Sequence, residues 1–317
     1  MKKTLLTVVL LISSTILFAQ EETKKDEAPK EGWTKGGNIS LLINQSAFNA
    51  EWLGGGTSNI AGNLSISYDF NYRKGKLTWD NKILADYGLT KLKDQEFIRK
   101  TNDRLELNSL LGRQIKESLW YYSFFLNFRT QFDKGFEYGE EPILDTTTGN
   151  VIGTREIRTE TTRVFSPAYL QLGPGMLWKK SDNLKVNIAP ATARFIFVHD
   201  MFTDVGNDQA AIDTFNDAGG YFGVEANDTF RFEFGAALNG YAKFEIMKNV
   251  SMENILNLYS NYLEDPQNVD IDYTANIVMT INKYLSTNLT FQAIYDDNAI
   301  GAFQIREVFG LGINYGF

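Results

Sequence analysis

Residues 60–72 read Ile60-Ala61-Gly62-Asn63-Leu64-Ser65-Ile66-Ser67-Tyr68-Asp69-Phe70-Asn71-Tyr72. Ile60, Leu64, Ile66, Tyr68, Phe70 and Tyr72 fall on one face with Gly62, and Ala61, Asn63, Ser65, Ser67, Asp69 and Asn71 fall on the other. A period of two is that of an extended strand with one apolar and one polar side. The stretch exceeds the usual strand of a soluble sheet and is long enough, when tilted, to cross the hydrocarbon layer of a bilayer. Alternation alone does not say whether its apolar side meets a protein core or lipid.

The same pattern recurs along the chain. After Arg73-Lys74-Gly75-Lys76, one face carries Leu77, Trp79, Ile83, Ala85, Tyr87 and Leu89. Residues 120–132 place Trp120, Tyr122, Phe124, Leu126, Phe128 and Phe132 against Ser123, Asn127, Arg129 and Gln131. Strands are predicted at 37–46, 59–72, 77–90, 102–113, 119–132, 165–178, 184–198, 228–246, 250–262, 269–281, 285–295 and 303–317, with no helix of any length after the leader. The connections at 73–76, 114–118, 179–183, 247–249 and 282–284 are short, whereas those at 47–58, 91–101, 133–164, 199–227, 263–268 and 296–302 are longer. Strict alternation of short and long connections is the habit of outer-membrane barrels, with tight periplasmic turns and longer external loops. The expected fold is all-β, a single antiparallel transmembrane barrel of about 12 strands with both termini in the periplasm.

Aromatic placement favours lipid over a soluble core. Trp79, Trp120 and Trp178 stand beside short turns, while Tyr87, Phe132, Phe197, Tyr262, Tyr295 and Phe303 stand toward long loops. Two aromatic girdles suit two membrane interfaces. Leu311, Ile313, Tyr315 and Phe317 alternate to the end of the chain and resemble the C-terminal assembly signal of bacterial outer-membrane barrels. That resemblance implies the barrel-assembly machinery as a partner, beside outer-membrane lipid.

Composition narrows the functional classes. The 317 residues include 23 Phe, 15 Tyr and 5 Trp but no Cys and a single His, His199, which removes disulfide frameworks, thiol catalysis and multi-His metal sites. A net charge of −8 argues against nucleic acid as a partner. A mean hydropathy of −0.25 without a long apolar run in the body argues against a helical membrane protein but not against a membrane barrel. Met1-Lys2-Lys3, an apolar stretch from Leu5 to Phe18 and Ala19-Gln20 read as a cleaved signal peptide over 1–20. Charged residues 21–35 read as a flexible periplasmic stub, leaving 36–317 as the barrel.

Several segments together resemble an uncharacterised family of Bacteroidota outer-membrane barrels, a domain of unknown function. They are Trp33-Thr34-Lys35-Gly36-Gly37, Glu51-Trp52-Leu53-Gly54-Gly55-Gly56, Lys74-Gly75-Lys76-Leu77-Thr78-Trp79-Asp80-Asn81, Trp120-Tyr121-Tyr122-Ser123, Asn127-Phe128-Arg129-Thr130-Gln131-Phe132 and Ser166-Pro167-Ala168-Tyr169-Leu170. The resemblance implies location and fold and carries over no catalytic residue.

If the apolar face meets lipid, the lumen carries Asp69, Asp80, Lys82, Asp86, Arg104, Glu106, Arg129, Lys185, Arg231, Glu233, Lys243, Glu253, Asp270, Asp272 and Arg306. The eight acids nearly balance the seven bases, which suits paired charges knitting the wall better than a charge-selective pore. His199-Asp200 lacks a Gly-x-Ser-x-Gly companion. Asp204, Asp208, Asp213 and Asp296-Asp297 lack calcium-loop spacing. No cofactor or metal is therefore expected, and no enzyme activity. The expected function is a partner-binding or scaffold barrel with a largely filled lumen, offering loops 133–164 and 199–227 to an outer-membrane protein partner. A narrow channel for a small polar solute is the alternative, and an outer-membrane hydrolase ranks third. The loop alternation places Lys74 and Ser181 in the periplasm and Asp145 and Asp208 outside. On intact cells, a bulky impermeant maleimide should label Asp145→Cys and spare Lys74→Cys; the reverse pattern inverts the topology.

Overall fold

The computed structural model describes residues 31–48, 57–264, 266–296 and 302–317. The expected signal peptide, the stub as far as residue 30, and Asp297 lie outside the described residues. The strands are β1 (Gly32–Ser46), β2 (Asn59–Lys74), β3 (Leu77–Leu92), β4 (Arg99–Gln114), β5 (Trp120–Thr130), β6 (Gly135–Leu144), β7 (Val151–Thr162), β8 (Ala168–Ser181), β9 (Leu184–Phe197), β10 (Phe230–Met247), β11 (Val250–Asn261), β12 (Asp270–Thr280), β13 (Leu285–Tyr295) and β14 (Gln304–Gly316). Twelve of them form a closed antiparallel barrel in the order β1-β14-β13-β12-β11-β10-β9-β8-β5-β4-β3-β2, and β6 and β7 pair only with each other. Closure gives every barrel strand two neighbours, so no edge is left with unpaired amides and carbonyls.

The barrel is inside-out relative to a water-soluble one. Leu41, Leu64, Trp79, Phe124, Phe232 and Phe309 are exposed on the exterior, whereas Asp80, Glu106, Arg194 and Glu233 are buried in the interior. The girdle tryptophans Trp79, Trp120 and Trp178 lie at the short-turn end, with Trp120 directly opposite Trp178 across the β5–β8 ladder.

Three expectations need correction. The stub does not run to residue 35: β1 begins at Gly32, and Trp33, Thr34 and Lys35 pair with Tyr72, Asn71 and Phe70. Trp33 packs against Tyr72 at 5.2 Å and Trp79 at 5.7 Å between ring centroids, joining the girdle. Charge and lack of periodicity in 21–31 masked the strand start. Second, 133–164 is a β-hairpin rather than an irregular loop, with Tyr138 opposite Arg158 and Glu140 opposite Glu156. Its Glu- and Thr-rich strands lack the apolar alternation that marked the others. Third, 199–227 contains a short 3₁₀ turn, Asp200–Phe202, and a helix α1, Gln209–Asp217. Asp208 caps α1 by accepting from the Ala210 amide at 3.3 Å.

The barrel closes where Asn38–Ile43 of β1 meets Leu311–Gly316 of β14, a shorter seam than the one β1 shares with β2. The Gly37 amide donates to the Phe317 carbonyl at 2.9 Å, and the Phe317 amide returns a bond to Gly37 at 3.1 Å. The Phe317 ring lies over Gly37 and stacks on Tyr68, centroids 5.9 Å apart. A Cβ at Gly37 would sit 2.6 Å from Phe317 Cζ and 3.0 Å from the Ser67 carbonyl oxygen, so only glycine leaves the ring its seat. Gly37→Ala should cost roughly 1–3 kcal/mol through overpacking. Gly37→Ala/Phe317→Ala should cost less than the two singles together, because they share one contact. Urea unfolding of the heat-modifiable barrel measures both, and additive costs would remove this account of the seam.

Candidate functional site

Inward side chains follow from the pleat, and closing the sheet brings opposite walls within reach of each other. In the strand order, β3 and β11 have five strands between them in either direction, and β5 and β12 have four one way and six the other. Yet Lys82 Nζ of β3 lies 3.5 Å from Glu253 Oε1 of β11. Likewise Arg129 Nη1 of β5 donates to Asp272 Oδ2 of β12 at 2.7 Å. These two ion pairs cross the lumen.

Around them the charged residues sort into three levels. Toward the short turns, Asp80 gathers Lys179 at 2.7 Å, Lys185 at 2.9 Å and Arg73 at 3.6 Å, and Asp69 lies 3.7 Å from Lys82. At mid-height, Arg104 donates to Asp86 from Nε and Nη2 at 2.9 and 2.7 Å and lies 3.5 Å from Glu106. Glu106 also accepts from Asn108 and Asn127 at 2.9 and 2.8 Å. Toward the long loops, Arg194 meets Glu233 at 2.8 Å and Asp270 at 2.5 Å. There Arg231 meets Glu233 at 2.9 Å and also binds Glu264. Lys243 faces Glu253 across the β10–β11 register but is exposed. Arg306 stands opposite Gln292 on the β13–β14 ladder.

Apolar packing fills the same interior. Phe125, Ala189, Ala237 and Tyr259 form a buried cluster against Leu110. An amide belt runs along the wall, with Asn127 donating to Asn108 at 2.7 Å and Asn239 to Asn257 at 3.0 Å. A cavity of about 380 Å³ runs from Asp80, Lys185 and Tyr241 near the short turns up to Arg104, Glu106 and Asp272. On the long-loop side a second, of about 310 Å³, is bordered by Lys100, Asp103, Gln131, Gln292 and Arg306.

Two buried charges escaped the periodicity. Lys179 falls in the expected 179–183 turn, but β8 runs to Ser181 and the turn begins three residues after Lys179. Carried on through β9, the inward register of Lys185 would turn Arg194 to the lipid face. That register breaks: β10 pairs Ala237 with Ala189 but Gly235 with Thr192, so β9 holds one extra residue between them. Inward positions are Lys185, Asn187 and Ala189 before this bulge and Thr192, Arg194 and Ile196 after it. Pro190, which cannot donate to a ladder, was the available signal, as was an arginine otherwise aimed at lipid. With Lys179 and Arg194 included, nine bases face eight acids, so the small excess of charge is positive rather than negative.

The outer rim is ordered by its own contacts. Phe202 stacks on Tyr221 at 4.8 Å, and Tyr221 and Phe222 pack on Ile196, Val198 and Val224 at the top of the inner wall. The β6–β7 hairpin is held by Arg158, whose guanidinium lies 4.3 Å from the Phe136 ring centre and 4.7 Å from that of Phe97. Arg163 and Lys134 hold the Glu160 carboxyl down at about 2, so it is ionised at neutral pH. His199 meets Ser166 through its backbone amide, at 3.0 Å, while its Nδ1 accepts from the Met201 amide at 3.2 Å. Asp204 accepts from the Gly206 amide at 3.0 Å in its turn, and Asp213 accepts from Gln209 at 2.7 Å within α1, so both acids serve local contacts. Among the described residues no group of three or more His, Asp or Glu is arranged to hold a metal ion.

Residues 43–136 match a family described as "Protein of unknown function (DUF3078)". No curated protein matches the chain. Among solved structures, the translocator domain of the autotransporter NalP from Neisseria meningitidis is similar at 9% identity and a TM-score of 0.36, covering 100% of this chain and 96% of that one. The COG4313 outer membrane channel from Pseudomonas putida F1 is similar at 11% identity and a TM-score of 0.37, covering 94% and 99%. Outer membrane phospholipase A from Escherichia coli is similar at 11% identity and a TM-score of 0.31, covering 93% and 94%. The likeness is one of fold.

The level toward the long loops generates a ranking. The side chains of Arg194 and Glu233 are 5% and 1% exposed, against 33% and 20% for Arg129 and Asp272. Arg194→Ala leaves Glu233 and Asp270 short of a cation in a desolvated site and should cost about 3–5 kcal/mol. Arg129→Ala should cost less, because water screens Asp272 more effectively. Urea unfolding of the refolded barrel in lipid vesicles gives both values, and equal costs would mean that burial does not set them.

Proposed function

We propose that the chain is a non-enzymatic outer-membrane β-barrel whose lumen is closed at mid-height. In this reading it is exported by its signal peptide, both termini lie in the periplasm, and it works as a scaffold through its outer rim. The family of Bacteroidota barrels that its motifs resemble fits this location. The observation that carries the reading is the pair of ion pairs that cross the interior, Arg129–Asp272 and Lys82–Glu253. An open pore separates its walls by water, and side chains cannot then pair across it. The exposed Ile143, Leu144, Val151 and Ile152 near the end of the hairpin support the scaffold role, because apolar residues in a rim suit a protein partner.

A second reading, a narrow conduit for a small polar solute, is favoured by the two cavities, one reaching from the short turns to Asp272 and the other opening toward the long loops. Conductance across a planar bilayer separates the two. The refolded mature barrel should stay closed, and Arg129→Ala combined with Lys82→Ala should open brief conducting events. Steady wild-type conductance, with only the selectivity altered in the variant, would move the function to transport.

A further inference from the structure

We propose that the cavity facing the long loops is a binding site for a small oxyanion, a carboxylate or a phosphate, anchored by Arg306. Arg306 projects from β14 into the cavity of about 310 Å³ that it shares with Lys100, Asn102, Asp103, Gln131 and Gln292. The guanidinium carries five N–H donors and no acceptor, and its planar fork matches a carboxylate or phosphate in a two-point contact.

Among the described residues, the neighbouring carboxylates Asp103, Asp86 and Asp272 are engaged elsewhere. Asp103 accepts from the Phe132 amide at 2.7 Å, the Asp133 amide at 2.9 Å and Lys100 Nζ at 2.7 Å. Asp86 is taken by Arg104, and Asp272 by Arg129 and by Gln292 Nε2 at 3.1 Å. Among the described residues, Arg306 has neither an ion pair nor a hydrogen-bond acceptor. Arg104, Arg129 and Arg194 each have at least one carboxylate partner. Lys243, also without an ion pair among the described residues, is exposed at the other end of the lumen, where water solvates it.

Arg306 is thus a partly buried cation held above a level whose acids are already paired. The cavity opens toward the long loops and has room for a few-atom anion beside the Arg306 guanidinium. Lys100 and Asp103, which line the same cavity, neutralise each other and leave Arg306 as its uncompensated charge. The site lies above the crossing ion pairs, so occupation requires no passage through the barrel, and its test is independent of conductance.

The experiment is calorimetric titration of the refolded barrel with succinate and, separately, inorganic phosphate at constant ionic strength, with glycerol as the neutral reference. The two anions distinguish carboxylate from phosphate preference. Saturable one-to-one binding of either is expected, and Arg306→Gln should weaken it about tenfold or more, the scale of a charge-assisted contact. Arg306→Lys should fall between, keeping the charge without the fork, and Lys243→Gln should bind like the wild type. Arg306→Gln should unfold at the wild-type urea midpoint, because no carboxylate is stranded by its removal. Binding of neither anion, equal binding by Arg306→Gln, or an Arg306→Gln barrel that fails to fold would each overturn the proposal.

Discussion

Charges on opposite walls of a closed sheet meet only when the sheet is narrow enough for their side chains to span the gap together, and here they do. Lys82 reaches Glu253 with five strands between them, and Arg129 reaches Asp272 across four. Much else follows from that contact. Charges crowded into one interior must neutralise each other there, because a lone buried ion costs far more than a paired one. Acids and bases therefore appear in near balance, amides fill the gaps between them, and the apolar cluster around Phe125 occupies the middle.

Strand number, direction and the inward face of most strands were legible in the sequence because each depends on a local property. Alternation reports the two faces of a strand, and connection length reports which end of the barrel it occupies. The features that were not legible depend on position counted along a chain that is not perfectly regular. One extra residue at Pro190-Ala191 hid Arg194, although its charge and the proline were both visible. The hairpin over β6 and β7 was illegible for a different reason. It has no lipid or core to face, so its strands carry Glu, Thr and Arg and read as loop. Which charges pair was beyond reach as well, since crossing pairs join residues as distant as Lys82 and Glu253.

The rim and the lumen obey different rules. Inside, burial sets the worth of a contact, and Arg194 with Glu233 is nearly sealed. Outside, contacts are screened and depend on shape: Arg158 sits between two aromatic rings, and Tyr221 stacks on Phe202. The two regions touch where Arg231 donates to the Gly223 carbonyl at 2.9 Å, tying a lumen arginine to the segment folded over the mouth. A change in the rim thus has a direct route into the charged interior.

The bulge in β9 also bears on how such a barrel can vary over evolutionary time. Substitution changes one lining residue at a time, but gain or loss of a single codon near Pro190 would exchange inside for outside along the rest of the strand. Arg194 and Ile196 would turn to lipid, while Phe195 and Phe197 would enter the lumen. The partner strands β8 and β10 keep their own register, so such a change would be confined to one stave of the wall. A β-barrel can therefore rewrite part of its interior by a frame-preserving insertion, a route closed to proteins whose cores are read from both faces. The same bulge makes this strand the place where an alignment that slips by one residue would misassign the most chemistry.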